Sequence, residues 1–489
     1  MTADHTSGPP APHPGAHADA SATRTFSHLS DSHGEQPATP WAERGPRPGA
    51  TLAATCAATF FALMNYVAPL LTVPDLSAAL HTSGSTQAWL LNGTPLGLAA
   101  LLLVAGSIAD DYGRRRVFLL GTLALAVTTG LTTLATDTLF FTVTRVAQGA
   151  ASAAIIASSL GLLVHAFPAG HARVRATGVW GAFVSGGIAV GPLLAGALGG
   201  FDWRILYLVL ALATLAVTGM SVRALTESRA PRGARPDTTG AVVFGLSLTA
   251  LLTALTLGRD GWLRLPVLLL LAATVALLVL FTLVERHAGA PLINLGLLRR
   301  PAFQASVASG LFTGLAVIGF FSVAPLLVEH ALGMSVMATA WLFVAWSGTS
   351  AVIATQAKRL PARVSVRHQL VIGFVLHAAG VLSMLGAVGA GSEARLLPGA
   401  LVAGAGSGLL NAGLPRLAVE SVPQARAAMG SGANNTARYI GSSAGVALLL
   451  AVSTGDPAHG ANVAILVSVG LTLLGALTVL TRKTGSEGR

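Results

Sequence analysis

Long runs of apolar residues alternate along this chain with short polar breaks. A helix needs about 20 predominantly apolar residues to cross the hydrocarbon core of a bilayer. Fourteen runs qualify: 50–72, 87–109, 117–135, 138–166, 173–198, 203–224, 238–258, 265–284, 303–329, 336–357, 367–390, 395–420, 431–453 and 460–481. The pattern predicts an all-α membrane protein with fourteen transmembrane helices. Its weakest members are the pair within 238–284 and the run at 395–420, which Pro415 and Arg416 interrupt.

The basic residues test this division. With the N-terminus in the cytoplasm, the inside segments hold 23 Lys and Arg and the outside loops only four: Arg204, Arg259, Arg264 and Arg395. Cytoplasmic loops of membrane proteins collect Lys and Arg, and a miscounted span would invert every later loop. Fourteen spans therefore predict a multi-pass protein of the inner (plasma) membrane with both termini cytoplasmic. The loops also divide the chain. A disordered cytoplasmic tail over 1–49 precedes a six-helix bundle over 50–225. A basic linker with two extra transmembrane helices follows over 226–302, then a second six-helix bundle over 303–481 and a cytoplasmic tail over 482–489. Repeated halves of this kind build many transporters, with the substrate between them near the midplane.

Composition narrows the class. Hydrophobic residues make up 53% of the 489 residues and charged ones 10%, against about 25% charged in soluble domains. So few charges cannot cover a soluble surface. A net charge of +11 would fit nucleic acid if clustered, but here it is spread between apolar segments. The lone cysteine, Cys56, forms no intramolecular disulfide and reads as an inert buried thiol. The tail histidines His5, His13, His17, His28 and His33 are irregularly spaced and lack supporting acids. No metal site, cofactor or nucleic-acid partner is expected.

Three motifs carry mechanism. Gly106, Asp110, Gly113, Arg114 and Arg115 fall within GSIADDYGRRR between spans two and three. Gly106 would let a neighbouring helix approach and Gly113 would permit a tight turn. Asp110 sits where an arginine or a helix N-terminus can pair with it. In span five, small residues recur four apart, with Gly187, Gly191, Pro192 and Gly196 in its second half. On residue physics alone that stripe is a helix-packing groove. Arg145 lies within span four, beside Gln148 and Gly149, and Arg438 lies deep in span thirteen. A guanidinium at such depth is costly and should face a cavity or a partner.

The first of these segments resembles the loop signature of the major facilitator superfamily, with Asp111 replacing its usual basic residue. Gly187-x3-Gly191-Pro192-x2-Ala195-Gly196 resembles the motif of the superfamily's antiporters. Arg145-Val-Ala-Gln-Gly149 resembles its span-four motif, in which the arginine is implicated in proton coupling. Phe201–Tyr207 and Gly432–Gly445 are similar to segments of the fourteen-span drug:proton antiporters. The resemblance covers about 50–481. It implies two six-helix bundles of the major facilitator fold plus two linker helices, and export of small hydrophobic compounds such as antibiotics by proton antiport with alternating access. The implied partners are a small-molecule substrate, the lipid bilayer and protons, with the chain acting as a monomer. Asn65, Trp89, Asn92, Asn411 and Asn435 are the candidate substrate-cavity residues, and Glu329 joins Arg145, Gln148, Gly149 and Arg438 as candidates for coupling or cavity lining.

The chain departs from that group in one respect. Asn65-Tyr-Val-Ala-Pro69 fits the group's span-one stretch, but the position of its usual Asp is Phe60. No acid lies at the midplane of any span. Arginine does not titrate at physiological pH, which leaves Asp110, Glu329, Asp75 and His377 as groups that could carry a proton. Two deep arginines without deep acids also favour neutral or anionic hydrophobic compounds over lipophilic cations. Two other readings stay open: an exporter of an endogenous metabolite or siderophore without proton coupling, and a non-transporting membrane sensor on the same fold. An enzyme would need converging acids, histidines or a metal cluster near one membrane face, and none is visible.

Overall fold

The computed structural model describes residues 47–481, except 72, 83–86, 199–200, 230–236, 259–260, 290–295, 360–363, 388–389, 391 and 454–455. The predicted tails therefore lie outside the described residues, apart from residues 47–49, of which Pro48 and Gly49 open the first helix. The first half holds α1 (Pro48–Val67), the short α2 (Val73–Ala79), α3 (Gln87–Tyr112), α4 (Arg114–Thr132), α5 (Thr138–Ala166), α6 (His171–Ala197) and α7 (Trp203–Ala224). Next come α8 (Thr238–Leu257) and α9 (Leu265–His287). The second half holds α10 (Pro301–Phe312), α11 (Gly319–Leu332), α12 (Val336–Gln356), α13 (Val366–Leu382), α14 (Leu396–Glu420), α15 (Ala427–Val452) and α16 (Pro457–Thr481). Among the described residues there is no strand, and eleven helices are long and apolar enough to cross a membrane. Three others miss that mark for visible reasons. Helix α13 has 17 residues, α4 starts on three arginines, and α15 is diluted by Gly, Ser and Asn.

Several expected spans change in detail. The run at 395–420 is one helix despite Pro415. The run at 303–329 is a composite, because a π-helical turn, Thr313–Ile318, joins α10 to α11. Such turns often mark functional positions, and here Gly314 packs against the backbone carbonyl of Arg438. The run at 367–390 is helical only to Leu382.

The scarce loop acids have local work. Asp137, Asp202 and Asp237 accept hydrogen bonds from the amides of Phe140, Arg204 and Gly240, and so cap α5, α7 and α8. Polarity is inverted relative to a soluble protein. Leu120, Leu139, Leu212, Leu269 and Leu477 are exposed, whereas Asp110, Arg145, Gln148 and Asn434 are buried. The two halves meet along α3 against α15 and along α6 against α12 and α14. Helices α8 and α9 join this arrangement at the first seam. Their Ala241, Phe244 and Phe281 share one apolar cluster with Leu103 of α3, Met429 and Ala433 of α15, and Phe303 of α10.

Candidate functional site

The first polar cluster closes the α3–α15 seam at the end of the bundle that carries the arginine-rich loops. Gly113, at φ +125°, lets α3 turn into α4 within one residue. That turn brings Arg114 back onto Asp110, with Nε and Nη2 at 2.9 and 2.8 Å from Oδ1. Both side chains are buried. Asp110 also accepts from the backbone amides of Met429, at 2.9 Å, and Ala428, at 3.4 Å, in the first turn of α15. Those amides lack intrahelical partners and carry the positive end of the helix dipole. Arg114 crosses the same seam, donating to the carbonyls of Gln424 (3.3 Å) and Ala425 (3.1 Å). A Cβ at Gly106 would run into the carbonyl of Ala428, so glycine there allows the two helices to touch. Asp111, the departure from the superfamily pattern, accepts from Arg426 at 2.7 Å and adds an ion pair that crosses the seam. Arg115 is held on the N-terminal side, its amide donating to Glu227 (3.0 Å) and its Nη2 to the Val222 carbonyl (2.8 Å).

A second cluster surrounds Arg145, which is fully buried. Its Nη1 donates to Asn65 O (2.8 Å), Asn65 Oδ1 (2.7 Å) and Gln148 Oε1 (2.8 Å), and its Nη2 donates to Tyr66 O (3.2 Å). Asn65 and Tyr66 sit in the last turn of α1, where carbonyls are free and the dipole favours a cation. Gln148 Nε2 donates onward to Thr132 Oγ1 at 2.6 Å, and Asn65 Nδ2 to Thr129 Oγ1 at 2.7 Å. The guanidinium thus ties α1, α4 and α5 together through neutral acceptors, with no carboxylate among its bonded partners. It meets a partner, as its depth requires, rather than an open cavity.

The third cluster joins the halves at the second seam. Ser185 of α6 and Ser350 of α12 lie 2.9 Å apart. Asn411 of α14 donates to both, at 2.9 and 3.3 Å. Its carbonyl oxygen accepts from Arg438 Nη2 at 3.0 Å. Beside Arg438, Tyr66 and Tyr439 meet edge to face across the halves at 5.8 Å.

The remaining candidates do not converge on one cavity. Asn92 donates to Thr256 of α8 at 3.4 Å, and Asn435 bonds back to the Ser431 carbonyl of its own helix. Trp89 is half-buried. Gly149 packs against the Thr94 carbonyl of α3, and Gly187 and Gly191 pack against Phe60, Met64 and Val67 of α1. Pro192 is buried within α6, and a Cβ at Gly196 would lie 3.5 Å from the Met337 side chain. The side chain of Glu329 lies outside the described residues. Among the described residues no group of three or more His, Cys, Asp or Glu could hold a metal ion.

The model of the Major Facilitator Superfamily matches residues 55–446 of this sequence. The chain belongs to the major facilitator superfamily. Within the superfamily it resembles the multidrug resistance protein Stp of Mycobacterium tuberculosis (strain CDC 1551 / Oshkosh), 28% identical over 402 residues that cover 82% of this chain and 74% of Stp. The puromycin resistance protein pur8 of Streptomyces alboniger is 30% identical over 459 residues, covering 88% of this chain and 90% of pur8. The crystal structure of the human organic anion transporter MFSD10 (TETRAN) superimposes with a TM-score of 0.63 at 17% identity, covering 89% of this chain and all (100%) of that one, which establishes a shared fold. The chain is a multi-pass membrane transporter of the superfamily, and its relatives include antibiotic and multidrug efflux proteins.

Some residues of these clusters escape sequence reasoning. Ser185 and Ser350 are hydroxyls that share their apolar spans with other Ser and Thr, and Tyr66 looks like part of the stretch after Asn65. A hydroxyl in the middle of a span is a weak signal, because Ser and Thr also bond back to their own helix. The Asp111–Arg426 pair joins positions more than 300 residues apart, at a site where the motif alone predicts a positive charge.

Proposed function

We propose that this protein exports small hydrophobic compounds such as antibiotics across the plasma membrane by proton antiport with alternating access. In this reading it is a monomer with fourteen spans and both termini in the cytoplasm. The bundles at 50–225 and 303–481 rock against each other, and 226–302 links them. The observation that carries the reading is the Asp110 cluster. It locks the seam only when α15 lies against α3, at the end where basic loops mark the cytoplasm. A latch of that kind holds the outward-facing state and must break for the inward-facing one. A proton on Asp110 would remove the charge that α15 grips, which couples protonation to opening. Gly106, Gly113, Arg114 and Arg115 shape this gate. Gly187, Gly191, Pro192 and Gly196 form the close surface between α6 and α1. The names of the relatives Stp and pur8 support drugs and antibiotics as the cargo class.

The test is expression in an efflux-deficient bacterium challenged with a panel of antibiotics. Reduced accumulation of at least one compound, lost in Asp110→Asn, is expected. Unchanged accumulation of every compound with the protein present in the membrane would remove the efflux reading. One observation favours the alternative of uncoupled metabolite export. Position 60, where related drug antiporters carry Asp, is filled by an aromatic group: Phe60 meets Phe61 and Phe183 edge-on at 5.4 and 6.1 Å.

A further inference from the structure

The two deep arginines are satisfied very differently. Arg145 makes four hydrogen bonds from its two terminal nitrogens and has no exposure. Arg438 makes one, from Nη2 to Asn411 Oδ1; the Nε of both arginines lacks a partner, so the difference lies in the terminal nitrogens. It is only half-buried. It stands eleven residues into α15, counted from Ala427, or about 16 Å along the axis, a depth that lipid headgroups do not reach. A guanidinium carries five N–H donors, and a charge left short of partners within a membrane is costly.

We propose that Arg438 binds an anionic group of the transported compound, a carboxylate, sulfonate or ionised phenol on an aromatic frame. The surrounding side chains fit that class. Asn411 is fixed by its amide bonds to Ser185 and Ser350, so its carbonyl oxygen faces Arg438 and orients the guanidinium. No carboxylate is bonded to Arg438, so an incoming anion meets no competing charge from the chain. Tyr66 and Tyr439 stand beside the guanidinium; the half-buried Tyr66 offers its ring to a planar ligand, and Tyr439 is buried against it. The cluster draws on α6 of one half and on α12, α14 and α15 of the other, so a ligand held there touches the parts that move during transport. The proposal rests on the efflux reading for its physiological meaning, but its binding chemistry is testable without transport.

The experiment is equilibrium binding to the purified full-length protein in detergent, using 2-naphthoate and 2-naphthylmethylammonium, which share a ring system and differ in charge. A charge-assisted bond contributes about 1.5–3 kcal/mol, so the anion should bind at least about tenfold more tightly than the cation. Arg438→Gln should abolish that preference and Arg438→Lys should keep part of it. If Arg438→Gln does not fold, Arg438→Lys combined with Asn411→Ala serves instead, with the preference falling below that of Arg438→Lys alone. Equal binding of the two probes to the native protein, or an undiminished preference in Arg438→Gln, would overturn the proposal. Anion binding without any export would count against the efflux reading alone. Export of cations without anion binding would count against this proposal alone.

Discussion

Replacing Asp110 with asparagine isolates the part of the gate that differs between conformations. The Asp110–Arg114 pair is internal to the N-terminal half, four residues apart, so it does not depend on how the two halves pack. Only the bonds across the seam are lost on opening: Met429 and Ala428 amides onto Asp110, Arg114 onto the carbonyls of Gln424 and Ala425, and Arg426 onto Asp111. Asparagine keeps one acceptor oxygen but removes the charge. The closed arrangement then loses roughly one charge-assisted bond, about 1.5–3 kcal/mol, which shifts the population ratio roughly 10- to 150-fold toward opening at that end. Spin labels at His171→Cys on α6 and His368→Cys on α13, in a Cys56→Ser background, report the distance between the halves at that end by pulsed electron resonance. Asp110→Asn should add a longer-distance population. An unchanged distance distribution in folded protein would refute the latch.

The second ion pair should yield to a charge swap. Asp111→Arg restores the motif's usual basic residue but opposes Arg426, so it should impair transport, and adding Arg426→Asp should recover it, with a coupling of about 1 kcal/mol in a double-mutant cycle. Gly106→Ala and Gly149→Ala make contacts of the same kind in different places. The first forces α3 from α15 across the seam and should lower transport at normal yield. The second crowds α3 against α5 within one half and should lower the unfolding midpoint, by overpacking of about 1–3 kcal/mol. Arg145→Lys cannot reach Asn65, Tyr66 and Gln148 together. It should cost on the order of 3 kcal/mol in thermal unfolding while leaving any preference between charged probes intact.

The helices were legible because burial in lipid demands length and apolarity, and those are written directly in the chain. The run at 138–166 coincides with α5 to the residue. Ends were harder where a turn intervenes, as after Leu382, where Gly386 takes a positive φ of 75° within an otherwise apolar run. The gate was legible on one side only. The spacing of Gly106, Asp110 and Gly113 is local and identifies a turn with a buried acid, but its partners on α15 depend on how two halves pack. The same limit separated Arg145 from Arg438. In the sequence both are lone cations in a span. What distinguishes them is the end of α1, whose carbonyls satisfy one and leave the other to a single asparagine. Asn92 shows the converse, a polar residue that looks suited to a cavity and instead ties α3 to α8.

The central claim is that this chain moves its cargo uphill at the expense of a proton gradient. Its most direct measurement is uptake of a compound from the accumulation panel into proteoliposomes with an acidic lumen. Accumulation above equilibrium that collapses when a protonophore is added, and is absent with Asp110→Asn, is the predicted result. Equilibration to the same level with and without the gradient would contradict it and leave facilitated diffusion.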